Sequence, residues 1–422
     1  MQQKHNNITS FIRSLYPGKA EVHLHEPVFF GNEKKYLEEC IDSTFVSSVG
    51  PFIKKFEDKF AEYTGAGHAV AVVNGAAALH MALKVLGVNA GDEVITQPLS
   101  FVATANAIAY TGAQPVFLDV DKDTLGLSPE ALRKWLEQNV ELKRCRMSGV
   151  SFPTTYNLQP TTEIRKKSLC AYNKKTGRRI SACVPMHTFG IPCRIDEIVE
   201  ICHQYNIPVI EDAAESIGSF YKNQHTGTFG DLGILSFNGN KTITTGGGGM
   251  ILVSDQPSAR GWTSAHDPAH SQPLAILARH LSTQAKVGHP WEFRHDAIGY
   301  NYRMPNINAA LGLAQLEGLP VILKSKQKLW EEYSAFFDGL NIPSIKEIPG
   351  SESNHWLNGF FCESKEERDA FLQFSHDQKI FCRPAWNLLP SLPMYQHCQT
   401  DGNEVAKWVE DRLVNVPSSA RI

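Results

Sequence analysis

From His68 onward the chain alternates short apolar runs that end abruptly with stretches of helical spacing. The runs 68–73, 93–97 and 115–119 have the length and composition of buried strands, and 76–86, 101–111 and 128–140 carry the spacing of the helices between them. A strand apolar on both faces and followed by a crossover helix has few places to go. It joins a largely parallel sheet covered by helices on both sides. The fold class expected is therefore α/β. Sheets of this kind bind ligands beyond the carboxyl ends of their strands, so the strand ends are where chemistry is expected.

The first run ends at Asn74-Gly75-Ala76-Ala77-Ala78. Small residues there let the amides opening the next helix approach an anion, aided by the helix dipole, which makes Gly75 and Ala76 a candidate phosphate cradle. Tight packing alone would require the same residues. The second run leads to Ser100-Phe101-Val102-Ala103-Thr104, where Phe101 is either a stacking surface for a flat ligand or a core aromatic. Residues 143–181 interrupt the pattern as a polar insertion rich in Lys, Arg, Ser and Thr. The sheet resumes at Ala182 and reaches its end at His187, equally suited to a structural role and to a ligand contact. Another strand, Val209-Ile210-Glu211-Asp212, ends in carboxylates and is followed by Ala213-Ala214-Glu215.

The strand Leu232–Phe237 is halted by Asn238-Gly239-Asn240, a turn that throws Lys241 out at its end, ahead of four glycines, Gly246–Gly249. Alone, such a lysine is most simply a solvated surface group. Packed among Ser236, Thr242, Thr244 and Thr245 it is expected to lose hydration, which lowers its pKa and makes the amine nucleophilic, as Schiff-base chemistry requires. Asp212 has the chemistry to hold a pyridine nitrogen protonated. A lysine, that carboxylate and a phosphate cradle are together what a pyridoxal 5'-phosphate (PLP) enzyme needs.

The remaining features narrow the class. At 422 residues, with 42% hydrophobic and 20% charged, the chain supports two domains with substantial cores. A net charge of -3 without a long basic run gives no electrostatic case for nucleic acid or an anionic membrane. The first residues lack a signal-peptide core and no apolar run has the length of a membrane span, so a cytoplasmic location is expected. Nine cysteines without C-x-x-C spacing, and 16 scattered histidines, point to reduced thiols and no structural metal. Ahead of the sheet, Phe11, Ile12, Leu15 and Tyr16 mark an N-terminal helix. Asn32–Ser47 and Pro51–Tyr63 follow as helices, with Phe52, Phe56 and Phe60 on one face.

Taken together, these landmarks resemble the DegT/StrS family of PLP-dependent sugar aminotransferases in order and spacing over nearly the whole chain. They are the turn at 74–78, Ser100–Thr104, His187-Thr188-Phe189-Gly190, Glu211–Ala214, Ser236-Phe237 with Lys241, and Gly299-Tyr300-Asn301-Tyr302-Arg303-Met304. The insertion, the Asn238–Lys241 turn, Asn354–Leu357 and Arg383–Trp386 are most similar to the LegC-type branch. The resemblance implies a fold-type I aminotransferase. It would comprise an N-terminal helix and lead-in over 1–28, a large mixed-sheet α/β/α PLP domain over 29–310 and a smaller C-terminal α/β domain over 311–422, paired as a homodimer with shared active sites. It implies that Lys241 bears the cofactor, Asp212 binds the pyridine nitrogen, Phe101 stacks on the ring and Glu215 lies near its phenolic oxygen. Gly75, Ala76 and Ser236 would hold the phosphate together with Asn301 of the partner subunit, and His187 and Tyr302 would meet the substrate. The family commonly has Ser-Gly-Thr at the phosphate turn where this chain has Asn74-Gly75-Ala76, leaving backbone amides and Ser236 for that task.

The implied reaction moves an amino group from L-glutamate to a keto-sugar. That sugar would be a nucleotide-linked 4-keto-6-deoxy sugar of surface-polysaccharide (O-antigen or lipopolysaccharide) biosynthesis, of the legionaminic acid or bacillosamine-like kind. Amination of a nucleotide-free keto-sugar acid is open to the same site. Related PLP-dependent sugar dehydratases carry histidine where Lys241 stands, and sensor proteins built on this fold append a DNA-binding module for which the short N-terminus leaves no room.

Overall fold

The computed structural model describes residues 2–145, 169–254 and 268–422, the last segment with side chains from 273 onward. Among the described residues seven strands form the central sheet, labelled in chain order β1 His68–Val72, β2 Glu93–Thr96, β3 Gln114–Phe117, β4 Ile180–Val184, β5 Ile210–Asp212, β6 Leu232–Ser236 and β7 Gly249–Val253. Their spatial order is β3-β2-β4-β5-β6-β7-β1, the β4–β5 junction being made by the bridges Cys183–Val209 and Met186–Asp212. Every pairing is parallel except those of β7, which runs antiparallel to β6 and β1. Nearly every residue of these strands is buried, which explains why they lack an apolar/polar alternation.

Helices cover both faces. On one face, Gly75–Val85 contributes Leu79, Met81 and Leu83 to a core shared with Val94, Ile108 and Ile234. On the other, Pro51–Thr64 buries Phe52, Phe56 and Phe60 against Phe237 and Leu313. The helix expected over Asn32–Ser47 stops at Asp42, because Thr44 turns into the left-handed region at φ 63°.

No linker falls at 311. A 34-residue helix, Asn306–Gly339, runs straight through that position, packing its first half under the central sheet and its second half in a separate core. The separate core includes a small antiparallel sheet of Asn358–Phe361, Leu413–Val416 and Arg383–Pro384. The N-terminal helix Gln2–Leu15 joins it too, packing Ile8 and Ile12 with Tyr333, Phe337, Phe360 and Phe371. The two ends of the chain thus share one core.

One expectation about cysteine is corrected. Val140–Arg144 and Leu169–Asn173 pair as an antiparallel hairpin, which brings Cys145 and Cys170 to a Cα separation of 5.7 Å, and the two form a disulfide. Spacing in the sequence holds no sign of this, since strand pairing creates the proximity. The rest of the polar insertion, 146–168, lies outside the described residues. Cys40, Cys183, Cys193, Cys202, Cys362 and Cys382 are buried thiols. Among the described residues no helix is long and apolar enough to cross a membrane.

Candidate active site

The carboxyl ends of β5 and β6 and the opening of the helix Gly75–Val85 converge. Asp212 is the last residue of β5 and lies opposite Ile234, while β6 continues two residues further to Ser236. A Cβ on residue 75 would fall 2.8 Å from the Ser236 Cβ, so only glycine lets this helix start so close to β6. Gly249 serves the same approach from β7, where a Cβ would meet the Asn74 carbonyl at 2.5 Å. Asn74 caps the helix through its side chain, whose oxygen accepts the Ala77 N–H at 2.7 Å. That leaves the first-turn amides of Gly75 and Ala76 without helical carbonyls to bond. The Ser236 hydroxyl has no hydrogen-bond partner among the described residues. Amides at a helix N-terminus with a free hydroxyl beside them suit a phosphate, and the cap is a carboxamide in place of the family's hydroxyls.

Asp212 is 4% exposed. Thr104 Oγ1 donates to its Oδ2 at 2.7 Å and the Ala214 amide to its Oδ1 at 3.2 Å. Burial pushes the carboxyl above the usual carboxylate range, while the Thr104 and Ala214 hydrogen bonds and the charge of Lys241 pull the other way. A cation beside this carboxylate would favour its ionised form further. Thr104 is held in turn by Ser100 Oγ at 2.8 Å, and its amide donates to the Phe101 carbonyl at 3.1 Å. One turn thus fixes both the Asp212 hydrogen bond and Phe101, a residue 52% exposed and available for stacking.

Lys241 emerges after the turn that follows β6. Its Nζ lies 3.0 Å from Glu215 Oε1 and 4.0 Å from the centre of the Trp356 ring. Glu215 is buried and receives the Phe189 amide on its other oxygen at 3.0 Å; burial raises its carboxyl to about 7 in spite of Lys241. Asn354 braces the same place, its Nδ2 donating to the carbonyls of Glu215 and Ile217, both at 2.8 Å. Trp356 and Asn354 come from the C-terminal part of the chain and have no role assigned from sequence. The only signal was the Asn354–Leu357 segment as a family landmark.

The other expected site residues are placed differently. His187 is wholly buried. The Cys193 amide donates to its Nδ1 at 3.2 Å, so Nε2 carries the proton and donates to Glu211 Oε2 at 3.0 Å. Glu211 also accepts the amides of Gly227, Phe229 and Gly230, which anchors the loop entering β6. With no exposed atom and both nitrogens bonded within the fold, His187 is not on a surface that a substrate meets. Tyr302 stacks on Tyr300, and its hydroxyl lies 3.3 Å from His80 Nδ1, on the helix that Gly75 opens but more than a turn beyond its start. Asn301 is exposed and pairs with Thr283.

A buried carboxylate, a lysine at a strand end, an exposed aromatic face and a phosphate-sized cradle fit PLP, which when bound supplies an electron sink for the carbon losing its proton. Comparison with known proteins agrees. Residues 30–142 and 153–422 match the DegT/DnrJ/EryC1/StrS aminotransferase family. GDP-perosamine synthase of Escherichia coli O157:H7 is 35% identical over 395 residues, 94% of this chain and 92% of that protein. The aminotransferase TlmJ of Streptoalloteichus hindustanus superposes with a TM-score of 0.75 at 26% identity, covering 94% of this chain and 93% of the other. The PLP form of Spr1654 of Streptococcus pneumoniae shares the fold at a TM-score of 0.78 and 22% identity, covering 95% and 94%. Fold and site define a PLP-dependent aminotransferase. The chain belongs to the DegT/DnrJ/EryC1/StrS aminotransferase family.

Proposed function

We propose that this enzyme transfers the amino group of L-glutamate to a nucleotide-linked 4-keto-6-deoxy sugar destined for a surface polysaccharide. The observation that carries the reading is the amine of Lys241 beside Glu215, next to the buried Asp212. A lysine there can bear the cofactor and, once released, move a proton between substrate carbon and cofactor, which favours amino transfer over the dehydration performed where histidine replaces it. Glu215 orients that amine and can itself accept or give a proton near neutral pH. Asp212 holds positive charge at the ring nitrogen, Phe101 supports the ring face, and Gly75, Ala76 and Ser236 bind the phosphate. The nucleotide is supported by the relatives named for making GDP-perosamine. Incubating the protein with L-glutamate and a panel of free and nucleotide-linked keto-sugars, then weighing the products, tests the assignment. The expected product is a nucleotide-linked amino-sugar with 2-oxoglutarate released in equal amount. Amination of only the free keto-sugar acids would overturn the nucleotide part.

The same reading includes a homodimer in which Asn301 serves the partner subunit's phosphate site. Its support is the exposure of Asn301, and the apolar residues Trp291, Phe293 and Ile298 just before it, which are 79, 83 and 88% exposed. Mixing Lys241→Ala and Asn301→Ala subunits is expected to restore activity that neither homodimer has, because a mixed dimer gathers both defects in one site and leaves the other whole. Absence of recovery, with subunit exchange and the Asn301→Ala defect both demonstrated, would place Asn301 in its own chain's site or none.

A further inference from the structure

Lys326 is a lysine where the packing would accept a leucine or methionine. It lies midway along the helix Asn306–Gly339, is 0% exposed, and has no carboxylate within ion-pair distance among the described residues. Burying a cation without a counter-charge is costly, so its three donors must all be used. They are: Nζ donates to the Ser418 carbonyl at 2.7 Å and the Trp356 carbonyl at 3.2 Å, and lies 3.2 Å from His25 Nε2. The ammonium thereby ties together the N-terminal lead-in, the C-terminal tail and the 354–357 segment. That segment is not relaxed, since His355 stands at φ 47°, in the left-handed region. Three of its residues are pinned: Asn354 by the Glu215 and Ile217 carbonyls, His355 by Gln327 at 2.8 Å and a stacked Trp330, and Trp356 by its indole N–H to the Asn240 carbonyl at 2.8 Å. The face of that indole is what Lys241 Nζ meets at 4.0 Å.

We propose that Lys326 is a positioning residue for the transfer reaction: through the Trp356 carbonyl it holds the indole against the amine of Lys241. The ring then forms one wall of the space in which that amine moves, attracting it when charged and limiting its reach when released. The burial that pushes the Lys326 ammonium down to about 7 also explains why all three acceptors are engaged, because an amine short of one acceptor would lose its proton still more readily. The inference rests on Lys241 being the cofactor-bearing lysine.

A double-mutant cycle between Lys326→Met and Trp356→Leu tests it, with two readouts. One is kcat at saturating donor. The other is the rate at which acetic anhydride modifies Lys241 in the cofactor-free protein, located by mass mapping, and it does not depend on catalysis. Each single change is expected to lower kcat by about tenfold and to alter the labelling rate several-fold in the same direction, with the double variant within about twofold of either single one, the mark of two residues acting as one unit. Lys326→Arg, which keeps donors for the carbonyls, is expected to recover most of both. Additive effects, or labelling of Lys241 unchanged by Lys326→Met, would overturn the proposal. Should Lys326→Met not fold, Lys326→Gln supplies the same cycle. If the protein proves to carry its cofactor on another lysine, the labelling cycle still reports whether Lys326 acts through Trp356, so the two failures are separable.

Discussion

Replacing Asp212 with asparagine is expected to lower turnover by about a hundred- to a thousandfold, or about 3–4 kcal/mol of transition-state stabilisation, while fold and cofactor content stay near wild type. The packing argument is local. Asparagine has the volume of aspartate, and its carbonyl oxygen can still accept the Thr104 hydroxyl now 2.7 Å from Oδ2. What disappears is the negative charge, together with the 3.2 Å bond from the Ala214 amide, which an NH2 group cannot accept. In a site where Asp212 is 4% exposed, little water is at hand to replace it, so a neutral amide leaves the pyridine nitrogen without the partner that keeps it protonated. The electron sink weakens in both directions of the transfer, so both half-reactions should slow together. Comparing single-turnover rates of each half-reaction with the absorbance of bound cofactor separates this from simple cofactor loss. Turnover close to wild type would leave Asp212 a structural carboxylate.

How much of this was open to sequence reading differs by residue. The strands could be found because they are buried on both faces and separated by helical periods, and four candidate site residues, Gly75, Asp212, Ser236 and Lys241, fall at or just past their carboxyl ends for the same topological reason. Local pattern has no access to contacts made from afar. Trp356 bonds the Asn240 carbonyl across 116 residues of sequence, and Lys326 reaches His25 across 301. Strand-end position is also ambiguous about which way a polar residue faces: His187 occupies such an end, yet the Glu211 carboxylate captures it from inside the fold. For the disulfide, the deciding event is the pairing of two strands that flank a long polar insertion. The position 311, implied by the family resemblance, lies inside the helix Asn306–Gly339, where Gly312 lets Phe56 pack closely, a Cβ at that position falling 2.7 Å from its ring.

Lys241→Ala is expected to abolish transfer, by at least about a thousandfold, since it removes both the attachment point and the group that moves the proton. The complementary experiment reduces the wild-type protein with borohydride and maps the fixed cofactor by mass, where the label is expected on Lys241 alone. The sharpest internal control is Lys326, a buried lysine whose amine bonds the backbone carbonyl of the same Trp356. Its Nζ is 0% exposed and already committed to two carbonyls and an imidazole, whereas the Lys241 side chain is 12% exposed and faces a carboxylate whose own burial raises it to about 7. A carbonyl carbon needs an approach path and a base to take the amine's proton. Lys241 has both, with Glu215 Oε1 at 3.0 Å, whereas Lys326, beside the His25 imidazole but 0% exposed, has no approach path. Reduced cofactor found on Lys326 or on a surface lysine would therefore overturn the reading of this site at its root. Label confined to Lys241, and lost in Lys241→Ala, would fix the chemistry at the end of β6.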